Sequence, residues 1–171
     1  MTAQMPVSKL ASMAATVLAV AQSRGIAIAT AESCTAGCLA TLLADAPGGG
    51  NSLHGGIVVY TKMAKTAMLG VPSEMLSVYT AVSQPVAERM AQGLLKRSPA
   101  QLAIAITGVA GPEPDDDNNP VGLVHVAVAY RGRGTWHRKH TFSPDDRSAI
   151  RSAAMEAALQ LTQECFADSS V

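Results

Sequence analysis

Residues 30–37 carry the most reactive combination of side chains in the sequence. They include the carboxylate of Glu32, the hydroxyls of Ser33 and Thr35, and the thiol of Cys34. An apolar run precedes this segment and a helical pattern follows it, so we expect a strand-to-helix turn, which is where open α/β sheets bind ligands. Ser33 is therefore the first candidate nucleophile. A serine before a helix is, however, more commonly an N-cap, and a cysteine in such a place more commonly fills the core.

Two further loops are expected at the same edge of the sheet. Tyr60 and Lys65 follow the second predicted strand, and residues 107–112 follow the third. The carboxyl ends of parallel strands share one edge, so all three loops should meet there. A lysine near a helix start opposes the macrodipole, so an anion or a proton-transfer role could hold Lys65 there, but a solvated surface lysine is the favoured interpretation. Gly108 and Gly111 could let the backbone approach a phosphate, although a glycine pair is a weak signal.

The composition predicts one globular domain of 171 residues. Aromatic residues make up only 4%, which favours thin and closely packed helix and sheet layers. The 13 basic residues equal the 13 acidic ones, so we expect no strong attraction to nucleic acid or to a membrane. Three cysteines without C-x-x-C spacing argue against a disulfide framework or a structural zinc site, and they fit a reducing cytoplasm.

The first part of the sequence has two interpretations. Residues 10–21 resemble the apolar region of a signal peptide, but only Lys9 supplies a charge before them. The favoured alternative is an amphipathic first helix that ends at Gly25. No run of about 18 apolar residues occurs, so no membrane-spanning helix is expected.

The order of the predicted elements indicates an α/β fold, a three-layer αβα sandwich. Apolar runs predict buried strands at 26–29, 56–61 and 102–107, and a hairpin follows at 121–130 and 135–142. The central sheet should therefore be mixed, mainly parallel, with an antiparallel hairpin.

Cap residues and periodicity predict the remaining elements. Helices are expected at 10–21, 38–43, 62–69, 73–76 and 83–97, and a last helix should open within 143–146 with Ser143 as its N-cap. Residues 47–52 should form a flexible loop because they are rich in glycine. The single domain covers 1–171, with tails at 1–8 and 166–171.

Other polar patterns predict no metal site. Consecutive carboxylates at 115–117 point apart, so a solvated loop is favoured over a cation site. His137 and His140 are three apart on a strand and should face opposite sides, whereas His125 should be a packed sheet histidine. The cations at 131–139 are interpreted as a solvated edge.

Several motifs taken together resemble the CinA C-terminal domain family. They agree in order and spacing from about Val17 to Leu161, and they are residues 30–37, Tyr60 with Ala64 and Lys65, 69–71, 81–83, 107–112, 120–122 and Asp146 with Arg147. The resemblance implies a stand-alone form of a nicotinamide mononucleotide deamidase domain of bacterial pyridine-nucleotide recycling. That reaction hydrolyses a carboxamide to give nicotinate mononucleotide and ammonia, with no metal or cofactor.

The resemblance also implies roles for individual residues. Ser33 would be the nucleophile and Lys65 its base, with Tyr60 positioning Lys65 or the substrate. Backbone N–H groups at the start of the next helix would hold the oxyanion. The expected substrate-binding residues are Glu32, Thr35, Gly50, Thr107, Gly108, Gly111 and Arg147. The partners expected are a small-molecule nucleotide and a second copy in a homodimer, without nucleic acid or membrane.

This sequence departs from the family pattern at three places. Gly48, Gly49 and Gly50 stand where the family has Gly-Ser-Ser or Gly-Ser-Ala, so this loop offers no hydroxyl. Lys62 stands where the family has asparagine, and an acidic stretch at 113–119 replaces a glycine-rich one. Lys62 could lower the pKa of Lys65 or change the ligand, and the acidic stretch would repel a phosphate if it folded over the site. The alternative function is therefore a paralogue that binds a nucleotide without turnover, or a competence/damage-inducible partner protein.

Overall fold

The structure is a computed structural model that describes residues 7–144 and 146–168, which form seven helices and five strands. The helices are α1 (Val7–Ser23), α2 (Cys38–Asp45), α3 (Gly49–Ser52), α4 (Lys62–Leu69), α5 (Ser73–Tyr79), α6 (Gln84–Arg97) and α7 (Arg147–Ala167). The strands are β1 (Ile28–Glu32), β2 (Leu53–Val58), β3 (Leu102–Gly108), β4 (Leu123–Tyr130) and β5 (Gly134–Thr141).

The strands form one sheet in the order β2-β1-β3-β4-β5. β2, β1 and β3 are parallel, whereas β4 and β5 are antiparallel to their neighbours. α1, α2 and α7 cover one face, and α4, α5 and α6 cover the other. The predicted αβα sandwich with a mixed sheet and a hairpin is confirmed.

The two faces of the sheet carry side chains of different size. The face toward α6 consists largely of alanines, namely Ala29, Ala31, Ala103, Ala105, Ala127 and Ala129. The face toward α1 and α7 carries Ile28, Leu102, Ile104, Ile106, Val124, Val126 and Val128. The small alanine side chains let α6 pack closely on the sheet. α4 packs in turn against α6 at Gly93, where a Cβ would lie 2.0 Å from the carbonyl oxygen of Leu69. This tight packing positions α4 next to the end of β1.

The second strand lies three residues earlier than predicted. The parallel ladder pairs Leu53 with Ile28 and Val58 with Glu32, so β2 ends before Tyr60. The apolar residues that suggested a longer strand instead lead into Thr61, whose side chain accepts a hydrogen bond from Ala64 N at the start of α4. The expectation of a flexible loop at 47–52 is also wrong, because α3 occupies the last four of these six residues.

The ends of the terminal helices differ from the prediction. Asp146 is the N-cap of α7 and accepts hydrogen bonds from Ser148 N and Ala149 N, so Ser143 is not the cap. α7 continues to Ala167 with Phe166 buried, and α1 already begins at Val7, so the predicted tails are shorter than expected. Residues 1–6 and 169–171 of those tails lie outside the described residues.

Residues 10–21 belong to α1, which packs on α7, as the amphipathic-helix interpretation predicts. Among the described helices, none combines the length and the apolarity needed to cross a bilayer.

Candidate active site

Ser33 and Lys65 meet at the carboxyl end of β1. Ser33 follows the last residue of that strand, and Lys65 projects from the first turn of α4. The Nζ of Lys65 donates to the Oγ of Ser33 at 3.0 Å and to the carbonyl of Val59 at 2.8 Å. Lys65 is only 1% exposed, so it is not a solvated surface lysine.

Burial changes the acid–base properties of Lys65. Removal from water disfavours the ammonium form and lowers the pKa of Lys65 from 10.5 to about 8, while the neighbouring Cys34 acts in the opposite direction. Lys62 does not cause this shift, since it pairs with Asp117 instead. A lysine with this pKa is neutral in about a tenth of the molecules at pH 7.

Ser33 is not a helix cap, and Cys34 fills the core, as expected for a cysteine at this place. The N-cap of α2 is Gly37, at a φ of 91°, so Ser33 is not the N-cap of that helix. Burial raises the pKa of the Cys34 thiol to about 11, which keeps it protonated. Cys34 packs against Gly108, where a Cβ would lie 3.1 Å from its sulfur.

Glu32 caps α2 and does not line the cavity. Its buried carboxylate accepts hydrogen bonds from Gly37 N at 3.0 Å, Leu39 N at 3.1 Å and Ala40 N at 2.8 Å. This contact corrects two expectations. Glu32 does not face the cavity, and the first N–H groups of α2 are already occupied, so they cannot form the oxyanion hole.

Thr35 and Gly50 also lie away from the reactive pair. Thr35 is fully buried, and its carbonyl accepts a hydrogen bond from Arg151 on α7, while its Oγ1 has no hydrogen-bond partner within the described residues. Gly50 precedes a strand parallel to β1, so it lies at the amino end of the sheet, opposite to Ser33. Neither residue lines the cavity, so the geometry does not support their predicted role in substrate binding.

One cavity of about 590 Å³ opens above Ser33, a volume suited to a small-molecule ligand. The predicted site residues that line it are Ser33, Tyr60, Lys65, Thr107, Gly108, Gly111 and Arg147. The cavity is also lined by Ala81, Val82, Lys62 and Met63, which were not among the predicted site residues. The only sequence signal for Ala81 and Val82 was a family motif before α6.

Arg147 joins three loops at the mouth of this cavity. Its Nη2 donates to the hydroxyl of Tyr60 at 3.2 Å, and its Nη1 donates to the carbonyl of Gly111. On the inner side, the hydroxyl of Thr107 donates to the carbonyl of Ala81 at 2.8 Å. The exposed guanidinium can therefore reach an anion in the cavity while it holds the loops together.

The acidic stretch does border the cavity, and its carboxylates point apart. Asp115 accepts hydrogen bonds from Asp117 N at 3.0 Å and Asn119 N at 2.8 Å, which fixes the loop. Asp117 binds Lys62 at 2.5 Å and also accepts from Ala81 N at 3.2 Å. Throughout 7–144 and 146–168 there is no group of three His, Cys, Asp or Glu side chains that could hold a metal ion.

A histidine pair lies on the neighbouring strands. His125 is buried, as predicted, and its Nδ1 lies 2.9 Å from the Nε2 of His137. Burial, and then the charges of His137, Lys139 and His140, lower the pKa of His125 to about 4. This pairing could not be predicted from the sequence because it depends on the register of β4 against β5.

The comparisons with known proteins agree with this architecture. The model of the CinA C-terminal domain family matches residues 10–166. A CinA-like protein from Akkermansia muciniphila is 45% identical over 131 residues, which are 77% of this chain and 31% of that protein. One from Gemmatimonas aurantiaca is 39% identical over 155 residues, covering 91% and 36%. The chain thus spans about a third of the length of these curated relatives.

Solved structures extend the similarity to the whole fold. The competence/damage inducible protein CihA from Agrobacterium tumefaciens has a TM-score of 0.87 at 36% identity, covering 93% of this chain and 96% of that one. The competence damage-inducible protein A from Klebsiella pneumoniae has a TM-score of 0.88 at 33% identity, covering 94% and 99%. The chain therefore belongs to the CinA C-terminal domain family.

Proposed function

We propose that this domain is an amidohydrolase that converts nicotinamide mononucleotide to nicotinate mononucleotide and ammonia. The observation that carries the proposal is the buried hydrogen bond between Lys65 Nζ and Ser33 Oγ, at the base of a cavity of nucleotide-binding size. An amide is a weak electrophile, so its hydrolysis needs an activated nucleophile and a proton donor for the leaving ammonia.

In the first half-reaction, neutral Lys65 takes the proton of Ser33 while Oγ attacks the carboxamide carbon. The carbonyl of Val59 accepts one N–H of Lys65 and so directs the nitrogen lone pair toward Ser33. The tetrahedral intermediate collapses as Lys65 returns the proton to the amide nitrogen, which leaves as ammonia. The product at this stage is an ester between Ser33 and the nicotinate carbonyl.

In the second half-reaction, a water molecule replaces ammonia. Lys65 accepts a proton from that water, whose oxygen attacks the ester carbonyl, and then returns the proton to Ser33 Oγ. One water is consumed, and the substrate carboxamide becomes a carboxylic acid and ammonia. The proposed oxyanion donor is the N–H group of Cys34, a residue that lines the cavity, because the first N–H groups of α2 are bound to Glu32.

Ammonia release from nicotinamide mononucleotide by the purified protein tests the proposal. We expect turnover by the wild type and none by Ser33→Ala or Lys65→Ala. Ser77→Ala and Lys96→Ala are matched controls on α5 and α6 away from the cavity, and both should retain the wild-type rate. A folded wild type that binds the nucleotide without releasing ammonia would instead support a nucleotide-binding protein.

A further inference from the structure

We propose that Lys62 is the residue that recognises the phosphate of the substrate, and that Asp117 occupies its ammonium group until a phosphate replaces it. This inference rests on the proposed function for the identity of the ligand. Its geometric basis is the ion pair across the cavity mouth, with Lys62 Nζ 2.5 Å from Asp117 Oδ1.

Lys62 has the exposure and reach that a phosphate ligand needs. It is the first residue of α4, three positions before Lys65, and both side chains line the same cavity. The side chain of Lys62 is 44% exposed, whereas Lys65 is buried against Ser33. The two lysines therefore divide the cavity into a buried reacting end and an open cationic end, and a nucleotide has a carboxamide and a phosphate at its own two ends.

Arg147, the other cation at the cavity mouth, has more hydrogen-bond partners than Lys62. Arg147 already donates to Tyr60 and to the carbonyl of Gly111, so it links loops and offers only part of its donor set. Among the residues that the structure describes, Lys62 has one side-chain partner, the carboxylate of Asp117. A phosphate monoester carries more negative charge than one carboxylate and offers three acceptor oxygens, so it competes well for an ammonium group that is partly solvated.

Asp117 can stay in position when its ion pair with Lys62 is broken. Its Oδ2 also accepts a hydrogen bond from Ala81 N, and its own N–H donates to Asp115. The loop therefore remains anchored when Lys62 turns toward a ligand. An exposed ion pair contributes little to stability, so exchange of its anion is feasible.

Binding measurements with two ligands test the inference independently of turnover. Calorimetric titration of nicotinamide mononucleotide and of its dephosphorylated nucleoside is done with the wild type, Lys62→Met and Asp117→Asn. We expect Lys62→Met to weaken mononucleotide binding about tenfold and to leave nucleoside binding unchanged, since one charge-assisted contact is lost. Asp117→Asn keeps an oxygen for Ala81 N and removes the competing charge, so it should strengthen mononucleotide binding relative to the nucleoside.

Lys9→Met is the matched control, because it breaks a similar surface ion pair, with Glu156 at 2.6 Å, outside the cavity. It should change neither affinity. The inference is overturned if Lys62→Met weakens the binding of both ligands equally or of neither. It is also overturned if Asp117→Asn weakens the binding of both, because the ion pair would then only hold the loop in place. Selective phosphate recognition without any ammonia release would leave the inference intact and remove the proposed amidase.

Discussion

The Nζ of Lys65 lies 3.0 Å from the Oγ of Ser33, although 32 positions separate the two residues in the chain. The contact joins the carboxyl end of β1 to the first turn of α4, and it excludes water from the lysine. Burial holds the pKa of Lys65 at about 8, so one hydrogen bond combines a nucleophile with a base that is partly neutral near neutral pH.

The first prediction concerns the pH dependence of turnover. The base must be neutral, so kcat/KM for ammonia release should rise with pH through a midpoint near 8 and level off above it. Lys65→Arg should be inactive throughout, because an arginine stays protonated. Initial rates between pH 6 and 10 measure this, and a rate that falls as the pH rises through 8 would contradict the role of Lys65 as a base.

The second prediction concerns Glu32. Three backbone N–H groups depend on its buried carboxylate, so Glu32→Gln should lower the free energy of unfolding by roughly 2–5 kcal/mol. Glu164→Gln removes a carboxylate from an exposed ion pair with Arg138 and should stay within about 1 kcal/mol of the wild type. Urea denaturation measures both.

Substrate affinity separates this capping role from the role predicted from the sequence. Where Glu32→Gln remains folded, its KM for the nucleotide should match the wild type, since the carboxylate does not line the cavity. A raised KM with unchanged stability would restore Glu32 as a substrate ligand.

The positions of Ser33 and Lys65 were predictable, whereas the function of Glu32 was not. Apolar runs followed by polar residues identify the ends of parallel strands, and that rule alone brings Ser33, Lys65 and Thr107 to one edge. The cap formed by Glu32 depends on the turn before α2, where Ala36 has a φ of 50° and Gly37 a φ of 91°. No periodic pattern encodes such a turn.

The register of β2 was unpredictable for a related reason. Its sequence contains Gly55 and Gly56, which weaken a strand pattern, while the adjacent apolar residues suggested a strand that continues to Thr61. In the fold, Gly56 is needed because a Cβ there would lie 2.6 Å from Thr30 Oγ1 and 2.7 Å from the Cβ of Ala40. The glycine thus reflects helix packing on the sheet, which a single sequence does not reveal.

The third prediction concerns acid stability. The folded state lowers the pKa of His125 from 6.5 to about 4, so the unfolded chain binds more protons between these values. Stability should therefore be lost as the pH falls from about 6.5 to about 4, by up to about 3 kcal/mol. Charging both His125 and His137 would also place two donors against each other across the 2.9 Å contact.

Denaturation at pH 7, 6, 5 and 4 measures this dependence. His125→Leu should lose most of it, whereas His54→Leu, which changes an exposed histidine on β2, should keep it. Equal acid sensitivity of wild type and His125→Leu would assign the effect to other groups.

The fourth prediction concerns Gly50, which stands where the family pattern has a serine or an alanine. This residue lies at the amino end of the sheet, so a hydroxyl there cannot reach Ser33 in the same chain. Gly50→Ser should therefore leave kcat and KM for ammonia release within about twofold of the wild type. A Cβ at Gly50 would meet no atom within 4 Å, so the variant should also fold. Gly49→Ser is the contrasting variant: its Cβ would lie 2.2 Å from the carbonyl oxygen of Leu43, so it should destabilise the protein at the junction of α2 and α3. A large gain in rate with Gly50→Ser would place residue 50 at a site completed by a second copy of the chain, and sedimentation of the variant at assay concentration would then have to show a dimer.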